Sequence, residues 1–372
     1  MYVLHIIPGD LWAGAEAQVF YTLREIRRRS SVNIGVILFN KGELYYRLAD
    51  MNIEVVILDE NKYSSLSICC GVNKILMKKK PDIVHVHEYK SHILAVAAKY
   101  MSGCKCKILR TVHGRSLLAF NWRYLKSHVV LRIEDIVLRY FSPNIVAVSK
   151  DLEGSLSERY RRATVYQISN GVSTTFGCLV SREEIKRRFN VEADRFCIGT
   201  AARLESIKNL EMLIEAARLL EEKKEGINYC ICIFGDGDLR EELERKVAEY
   251  ELEDKVALYG HHQDMVAIMR AFDVFVLTSR DEGLPISLLE AMSMGAVPVC
   301  TRVGGLKEVI EHGQDGFLVE LDNARELAGT LAYIYKNREE MQRIRKNAFS
   351  KVVRDYSIEG CAEKLVKLYG SL

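Results

Sequence analysis

D-V-F-V-L-T-S-R-D-E-G-L-P-I-S-L-L-E-A-M, residues 273–292, is the stretch whose reading decides the fold. Asp273-Val274-Phe275-Val276-Leu277 is a short apolar run of the kind that makes a strand buried on both faces. Ile286 to Met292 is helix-forming, and Pro285 stands where a first helical turn tolerates proline. Gly283 lets the intervening backbone approach a ligand closely. The unit is therefore strand, tight loop, helix N-terminus. Such a terminus offers unpaired N–H groups and partial positive charge, a seat for an anion. Glu282 on the loop and Glu290 about a turn into the helix are placed to meet two ends of one ligand.

Working outward, the same unit recurs. Strands are expected near residues 196–201, 228–234, 256–259, 296–300 and 316–319, with helices between them. An earlier series is expected at 2–7, 32–39, 53–58, 82–86, 107–112 and 144–148. Alternation of this kind argues parallel sheets covered on both faces, and the restart after a helix at 181–189 argues two such units. The class is α/β, two Rossmann-like domains. The first loop, Pro8 to Glu16, is phosphate-facing in kind but lacks G-x-G-x-x-G, so a dinucleotide fingerprint is not supported.

Several loops at strand ends carry candidate chemistry, because ligands gather at the carboxyl edge of a parallel sheet. Arg203 and Lys208 flank the loop after the strand 196–201, where two cations can hold a diphosphate. Gly235-Asp236-Gly237-Asp238 follows the next strand. Its D-x-D spacing imitates a metal site, but Asp238 reads better as a helix N-cap. Tyr259-Gly260-His261 ends another strand. In the first half, His85 and His87 project to one face, so a metal pair has to be weighed, and His113 lies at the end of the next strand.

Composition narrows the class. The chain has 372 residues with 48% hydrophobic and 28% charged side chains, ordinary globular usage. No signal peptide and no membrane-spanning run is expected. The ten cysteines are scattered without C-x-x-C and read as reduced thiols of a cytosolic protein. Charge is unevenly spread: residues 1–180 hold 25 Lys+Arg against 15 Asp+Glu, and the remainder 28 against 35. Residues 60–130 alone hold 13 basic and 3 acidic side chains. Lys78, Lys79, Lys80, Lys105, Lys107 and Arg110, with the aromatic group Phe120, Trp122 and Tyr124 beside Arg123, are expected to form a surface for an anionic membrane. Nucleic acid is not expected, since no recognition motif accompanies the charge.

The segment Glu282-Gly283-Leu284-Pro285-Ile286-Ser287-Leu288-Leu289-Glu290 resembles the E-x7-E motif of glycosyltransferase family 4. Ala202-Arg203-Leu204-Glu205-Ser206-Ile207-Lys208-Asn209 resembles that family's G-R-L-x-x-x-K-N, with Ala202 in place of Gly. Asp82 to His87 and Thr111-Val112-His113 resemble its D-v-v-H-x-H and t-x-H. Asn170-Gly171-Val172 resembles P-N-G-V-D, with Ser169 and Ser173 at the departures. The resemblance implies a GT-B arrangement: an acceptor-side domain over 1–176, a donor domain over 177–356, and a helix over 357–372 returning to the first. It implies a retaining, metal-independent transferase of the hexosyl type, taking a nucleotide-diphosphate sugar, uridine first and guanosine second. The acceptor would be a glycan or lipid-linked molecule of surface polysaccharide synthesis. Arg203, Lys208, Glu282 and His113 would carry the catalysis. Gly14, Ala15, Gly235, Gly260, His261, Gly283, Leu284, Pro285, Ile286 and Glu290 would hold the donor, and no cofactor is expected. A GT-B nucleotide-sugar epimerase and a non-catalytic partner subunit are the alternatives.

Overall fold

In the computed structural model, the described residues are 1–10, 12, 14–114, 125–174, 180–223 and 226–372. They divide into two compact units, Met1–Gly171 with Ile358–Leu372, and Val172–Ser357. Unit 1 holds strands β1 (Tyr2–Ile7), β2 (Asn33–Leu38), β3 (Glu54–Ile57), β4 (Ile83–Val86), β5 (Lys107–Val112), β6 (Asn144–Ala147) and β7 (Thr164–Gln167). They form a sheet of order β3-β2-β1-β4-β5-β6-β7. Unit 2 holds β8 (Phe196–Ala201), β9 (Tyr229–Phe234), β10 (Val256–Gly260), β11 (Val274–Leu277), β12 (Val297–Thr301) and β13 (Phe317–Val319), in the order β10-β9-β8-β11-β12-β13. Every strand pairing in both sheets is parallel. Each sheet reverses its strand order once, between β1 and β4 and between β8 and β11. Those two switch points open crevices at the carboxyl edges, where ligands bind in such folds.

The strands read as continuous apolar runs because helices cover both faces. Leu4 and Ile6 of β1 join one core with Val84 and Ile108. Val3 joins another on the opposite face, with Ile83, Leu109 and Val146. This second core is completed from far along the chain. The helix Ile358–Ser371 lays Ala362, Leu365, Leu368 and Tyr369 into it, a spacing of three to four residues that places them on one helical face. The same helix packs along the helix Gly14–Arg29. Burying side chains of this size contributes about 1.5–3 kcal/mol each.

The structure corrects the basic surface expected over residues 60–130 at Arg110. Lys78, Lys80, Lys105 and Lys107 are exposed. They lie at the amino edge of the sheet, where β4 and β5 begin. The chain leaves β5 toward Gly114 at the opposite edge. Arg110 does not belong to the surface at all: it is 6% exposed, and its Nε donates to Glu134 Oε1 at 3.0 Å. Lys79 is paired with Glu54, and Lys90 with Glu60. Phe120, Trp122, Arg123 and Tyr124 lie outside the described residues. Among the described residues, no helix is long and apolar enough to cross a membrane.

Candidate active site

In unit 2, both motif-bearing loops flank the β8/β11 switch point. After β8 the chain makes a 3-10 turn at Ser206–Lys208, and Asn209, at φ +50°, opens the helix Leu210–Glu222. The turn brings Lys208 back over the end of β11. Thr278 Oγ1 donates to the Lys208 carbonyl at 3.0 Å, and the Arg280 N–H donates to the Ile207 carbonyl at 2.8 Å. The Arg280 guanidinium holds Asn209 Oδ1 at 3.1 Å and Asp322 Oδ2 at 2.7 Å. With the two loops laced together, Lys208 Nζ donates to Glu282 Oε1 at 2.7 Å. The sequence reading gave these two side chains separate tasks; the structure makes them one ion pair.

Glu282 is fixed at both its ends. Its Oε1 also accepts from Ser279 Oγ at 2.6 Å. Its carbonyl accepts the Gly305 N–H at 3.0 Å. Gly304 makes that approach feasible: it sits at φ +44°, and a Cβ there would lie 2.1 Å from the Glu282 carbonyl oxygen. The loop is therefore held to a defined shape before any ligand arrives, which is what a charge-stabilising site requires.

The helix that follows spans Ile286–Ser293 with Pro285 as its N-cap, one position before the first-turn site that the sequence pointed to. Pro285 itself makes no side-chain hydrogen bond to this terminus. Leu284 and Ile286 are buried, so their side chains are turned away from solvent. Glu290, the fifth residue of the helix, is partly exposed, and burial pushes its carboxyl up to about 8. Among the described residues, no ion pair or hydrogen bond reaches that carboxyl.

Arg203 is exposed at the rim, paired with Glu205 at 2.6 Å. The backbone beneath it rests on Gly235, at φ +129°, where a Cβ would lie 1.9 Å from the Ala202 carbonyl oxygen. The Gly235 N–H in turn donates to the Gly260 carbonyl at 2.8 Å. These two glycines shape the floor of the Arg203 loop. His261 follows Gly260 and is exposed. Asp238 is not a cap: the next helix begins at Arg240 with Leu239 in the N-cap position and no capping side chain. Asp236 pairs with Arg240 at 2.9 Å.

In unit 1, a cavity of about 440 Å³ opens at the carboxyl edge, lined by Ala15, Glu16, His87, Arg110, His113 and Glu134 among others. Gly14 begins the helix that carries Ala15. His113 forms part of the wall, and burial, aided by nearby Arg110, holds its imidazole neutral, down to about 3. Behind the wall lies a cluster the sequence reading missed in part. His5 on β1 is in register with His85 on β4, and Tyr369 reaches them from the returning helix. His5 was legible as a polar residue inside an apolar strand. Nothing local announces Tyr369. Among the described residues, two groups bring three metal-ligating atoms within 4.8 Å of one another: His5, His85 and His87, and the core thiols Cys197, Cys230 and Cys232.

The two units match two family descriptions. Residues 12–176 match Glycosyltransferase Family 4, and residues 181–351 match Glycosyl transferases group 1. The chain is 28% identical over 301 residues to UDP-Gal:alpha-D-GlcNAc-diphosphoundecaprenol alpha-1,3-galactosyltransferase of Escherichia coli, covering 80% of this chain and 77% of that protein. It is 24% identical over 311 residues to N-acetyl-alpha-D-glucosaminyl L-malate synthase of Bacillus anthracis, covering 82% and 78%. A crystal structure of Anabaena Alr3699/HepE in complex with UDP-glucose superposes with a TM-score of 0.85 at 20% identity, covering 100% of both chains. Matched in both of its units, the chain belongs to glycosyltransferase family 4 and has the two-unit GT-B fold.

Proposed function

We propose that the chain is a retaining, metal-independent transferase that moves a hexosyl group from a nucleotide-diphosphate sugar, UDP-linked in preference to GDP-linked, to a glycan or lipid-linked acceptor. The observation that carries this reading is the Lys208–Glu282 pair at 2.7 Å, set beside the N-terminus of helix Ile286–Ser293, where the N-cap residue Pro285 gives no side-chain hydrogen bond. Lys208, Arg203 and the backbone N–H groups of Gly283 and Ile286, on either side of Leu284 and Pro285, stabilise the departing diphosphate. Glu282 orients the transferred sugar through its hydroxyls, and Glu290 the ribose. Gly235, Gly260 and His261 frame the nucleobase. The bond between the anomeric carbon and the phosphate oxygen breaks on the face where the acceptor oxygen bonds, and the acceptor's proton passes to the leaving diphosphate. Unit 1 takes the acceptor in its cavity beside His113, with Gly14 and Ala15 small enough to admit the donor's phosphate. The E. coli relative's name specifies a diphosphoundecaprenol acceptor and a UDP-sugar, which supports both halves of the reading.

A thermal-shift panel of nucleotides, run with and without a chelator, tests it. A nucleoside diphosphate at 100 times its dissociation constant should add about 2.7 kcal/mol of stability, and turnover should survive exhaustive chelation. Chelation that abolishes turnover, with Mg²⁺ or Mn²⁺ restoring it, would overturn metal independence. The absence of any shift with every nucleoside diphosphate would overturn the donor assignment.

Attachment to an anionic membrane surface is part of the same proposal, at a site shifted from the one the sequence pointed to. Helix Leu125–Phe141 exposes Val129, Ile133, Ile136 and Tyr140, an apolar stripe at helical spacing. Exposed Arg132 and Arg139 lie on the same helix, and Arg162 sits over the Tyr140 ring at 5.7 Å. Such a face fits an anionic bilayer, lying on it rather than crossing it. Co-sedimentation with phosphatidylglycerol vesicles should weaken with salt and be lost in the double variant Ile133→Glu, Ile136→Glu. Equal recovery of parent and variant defeats the idea.

A further inference from the structure

The imidazoles behind the unit 1 cavity form one hydrogen-bonded chain with a direction. His85 Nε2 lies 2.7 Å from Thr111 Oγ1, and His85 Nδ1 lies 2.7 Å from the Tyr369 hydroxyl. That hydroxyl is 3.4 Å from His5 Nε2, and His5 Nδ1 is 3.0 Å from His87 Nε2. Among the described residues, the remaining nitrogen of His87, Nδ1, is buried without a hydrogen-bond partner, as is His113 Nε2. Both residues line the cavity, with ring centroids 5.9 Å apart.

The distances set the polarity. A phenol donates more strongly than a neutral imidazole N–H, and an imidazole nitrogen accepts more strongly than a phenol oxygen. The 2.7 Å contact is thus Tyr369 O–H donating to His85 Nδ1, and the 3.4 Å contact is His5 Nε2–H donating to the Tyr369 oxygen. Burial keeps all three imidazoles neutral, His5 down to about 3 and His85 and His87 well below the usual value. Each therefore carries one hydrogen. His85 uses its own on Thr111. His5, having given Nε2–H to Tyr369, accepts at Nδ1 from His87 Nε2–H. His87 is left with a bare, buried lone pair on Nδ1, within a residue that lines the cavity.

We propose that His87 Nδ1 accepts a hydrogen bond from a hydroxyl of the sugar acceptor, and that Tyr369, acting through His5, is the positioning residue that keeps this lone pair bare. The inference rests on the reading that the unit 1 cavity takes the acceptor. A second consequence follows from the chain's continuity. With one hydrogen per link, reversing any link reverses the others, so loss of the phenol hydroxyl frees His87 to adopt either tautomer.

The test uses the full chain labelled with ¹⁵N-histidine, its signals assigned by His5→Gln and His87→Gln. In the parent, His87 should show a single tautomer protonated at Nε2. Tyr369→Phe should turn it into a mixture of both tautomers. In transfer assays the same variant should lower kcat/KM for the acceptor in proportion to the fraction of His87 that keeps Nδ1 bare, about twofold for an even mixture, with the donor's KM unchanged. His5→Phe keeps a ring in place and should give the same kinetic loss if Tyr369→Phe does not fold. Protonation of His87 at Nδ1 in the parent overturns the proposal, as does a Tyr369→Phe protein whose tautomer and acceptor kinetics match the parent. Added Zn²⁺ that shifts His5, His85 and His87 together would also overturn it, in favour of a metal site on the same nitrogens. A parent that transfers no sugar from any donor sinks the transferase reading and leaves the tautomer result standing on its own.

Discussion

Lys208→Ala lowers turnover about 100- to 1,000-fold, the usual effect of deleting one preorganised contact to a developing anion. The variant keeps its fold, because the loops around residue 208 are tied by other groups: Thr278 to the Lys208 carbonyl, and Arg280 to Asn209 and Asp322. A stability loss is expected as well. Lys208 and Glu282 have side chains 19% and 9% exposed, so removing the cation strands a largely buried carboxylate with Ser279 as its remaining neighbour. That costs about 1–3 kcal/mol. Glu282→Gln breaks the same ion pair without stranding a charge, so comparing the melting temperatures of the two variants isolates the stability term, while its own turnover falls with the loss of the group that orients the sugar. Melting curves and steady-state kinetics on both variants decide the matter. A Lys208→Ala protein turning over within a few-fold of the parent removes the diphosphate assignment.

Glu290→Gln should make the protein more stable and less able to bind its donor. The carboxyl is held up to about 8 by burial, against about 4.5 in an unfolded chain. Between those values the folded protein keeps a proton that the unfolded chain releases, so the parent loses stability as pH rises from 4.5 toward 8 and levels off above it. Gln carries no such penalty. The variant's advantage in melting temperature should therefore be absent below pH 4.5, widen through neutrality and stop growing near pH 8. At pH 7 it is on the order of 2–3 kcal/mol, allowing for the partly exposed edge of the side chain. Donor affinity should fall about 10- to 100-fold with the loss of charge-assisted bonds to the ribose. In the parent that affinity should rise from pH 6 to 8 as the carboxylate forms, and in the variant it should be flat. Coincident melting of the two proteins across this range would falsify the placement of a costly buried acid at residue 290.

What was legible in the sequence was local. Val274–Leu277 reads as a strand because both its faces are buried and no polar residue interrupts it, and Phe196–Ala201 because its one polar residue, Thr200, is small and buried as well. Glu282 and Glu290 are linked by one loop and one turn of helix, and their spacing carries their relation. What was not legible involves partners distant in the chain. Lys208 and Glu282 are 74 positions apart, and His85 and Tyr369 are 284 apart; no spacing predicts such contacts. Arg110 was counted with the surface charges because a tally of basic residues cannot see that Glu134 on a neighbouring helix takes the guanidinium out of solvent. Asp238 looked like a cap because it precedes a helical run, but a further turn moves the helix start to Arg240.

The return of helix Ile358–Ser371 to unit 1 also inverts the order in which the two units can mature on the ribosome. Chains emerge amino end first, and domains fold as their residues become available. Unit 2 is one unbroken stretch, Val172–Ser357, and has all its strands once that stretch is made. Unit 1 begins earlier, yet the core of Val3, Ile83, Leu109 and Val146, covered in part by Ile26, is completed only when Leu365, Leu368 and Tyr369 are synthesised. The nascent first unit therefore waits with a partly covered apolar sheet while the second closes, a stretch of biosynthesis in which a holding chaperone would find its substrate.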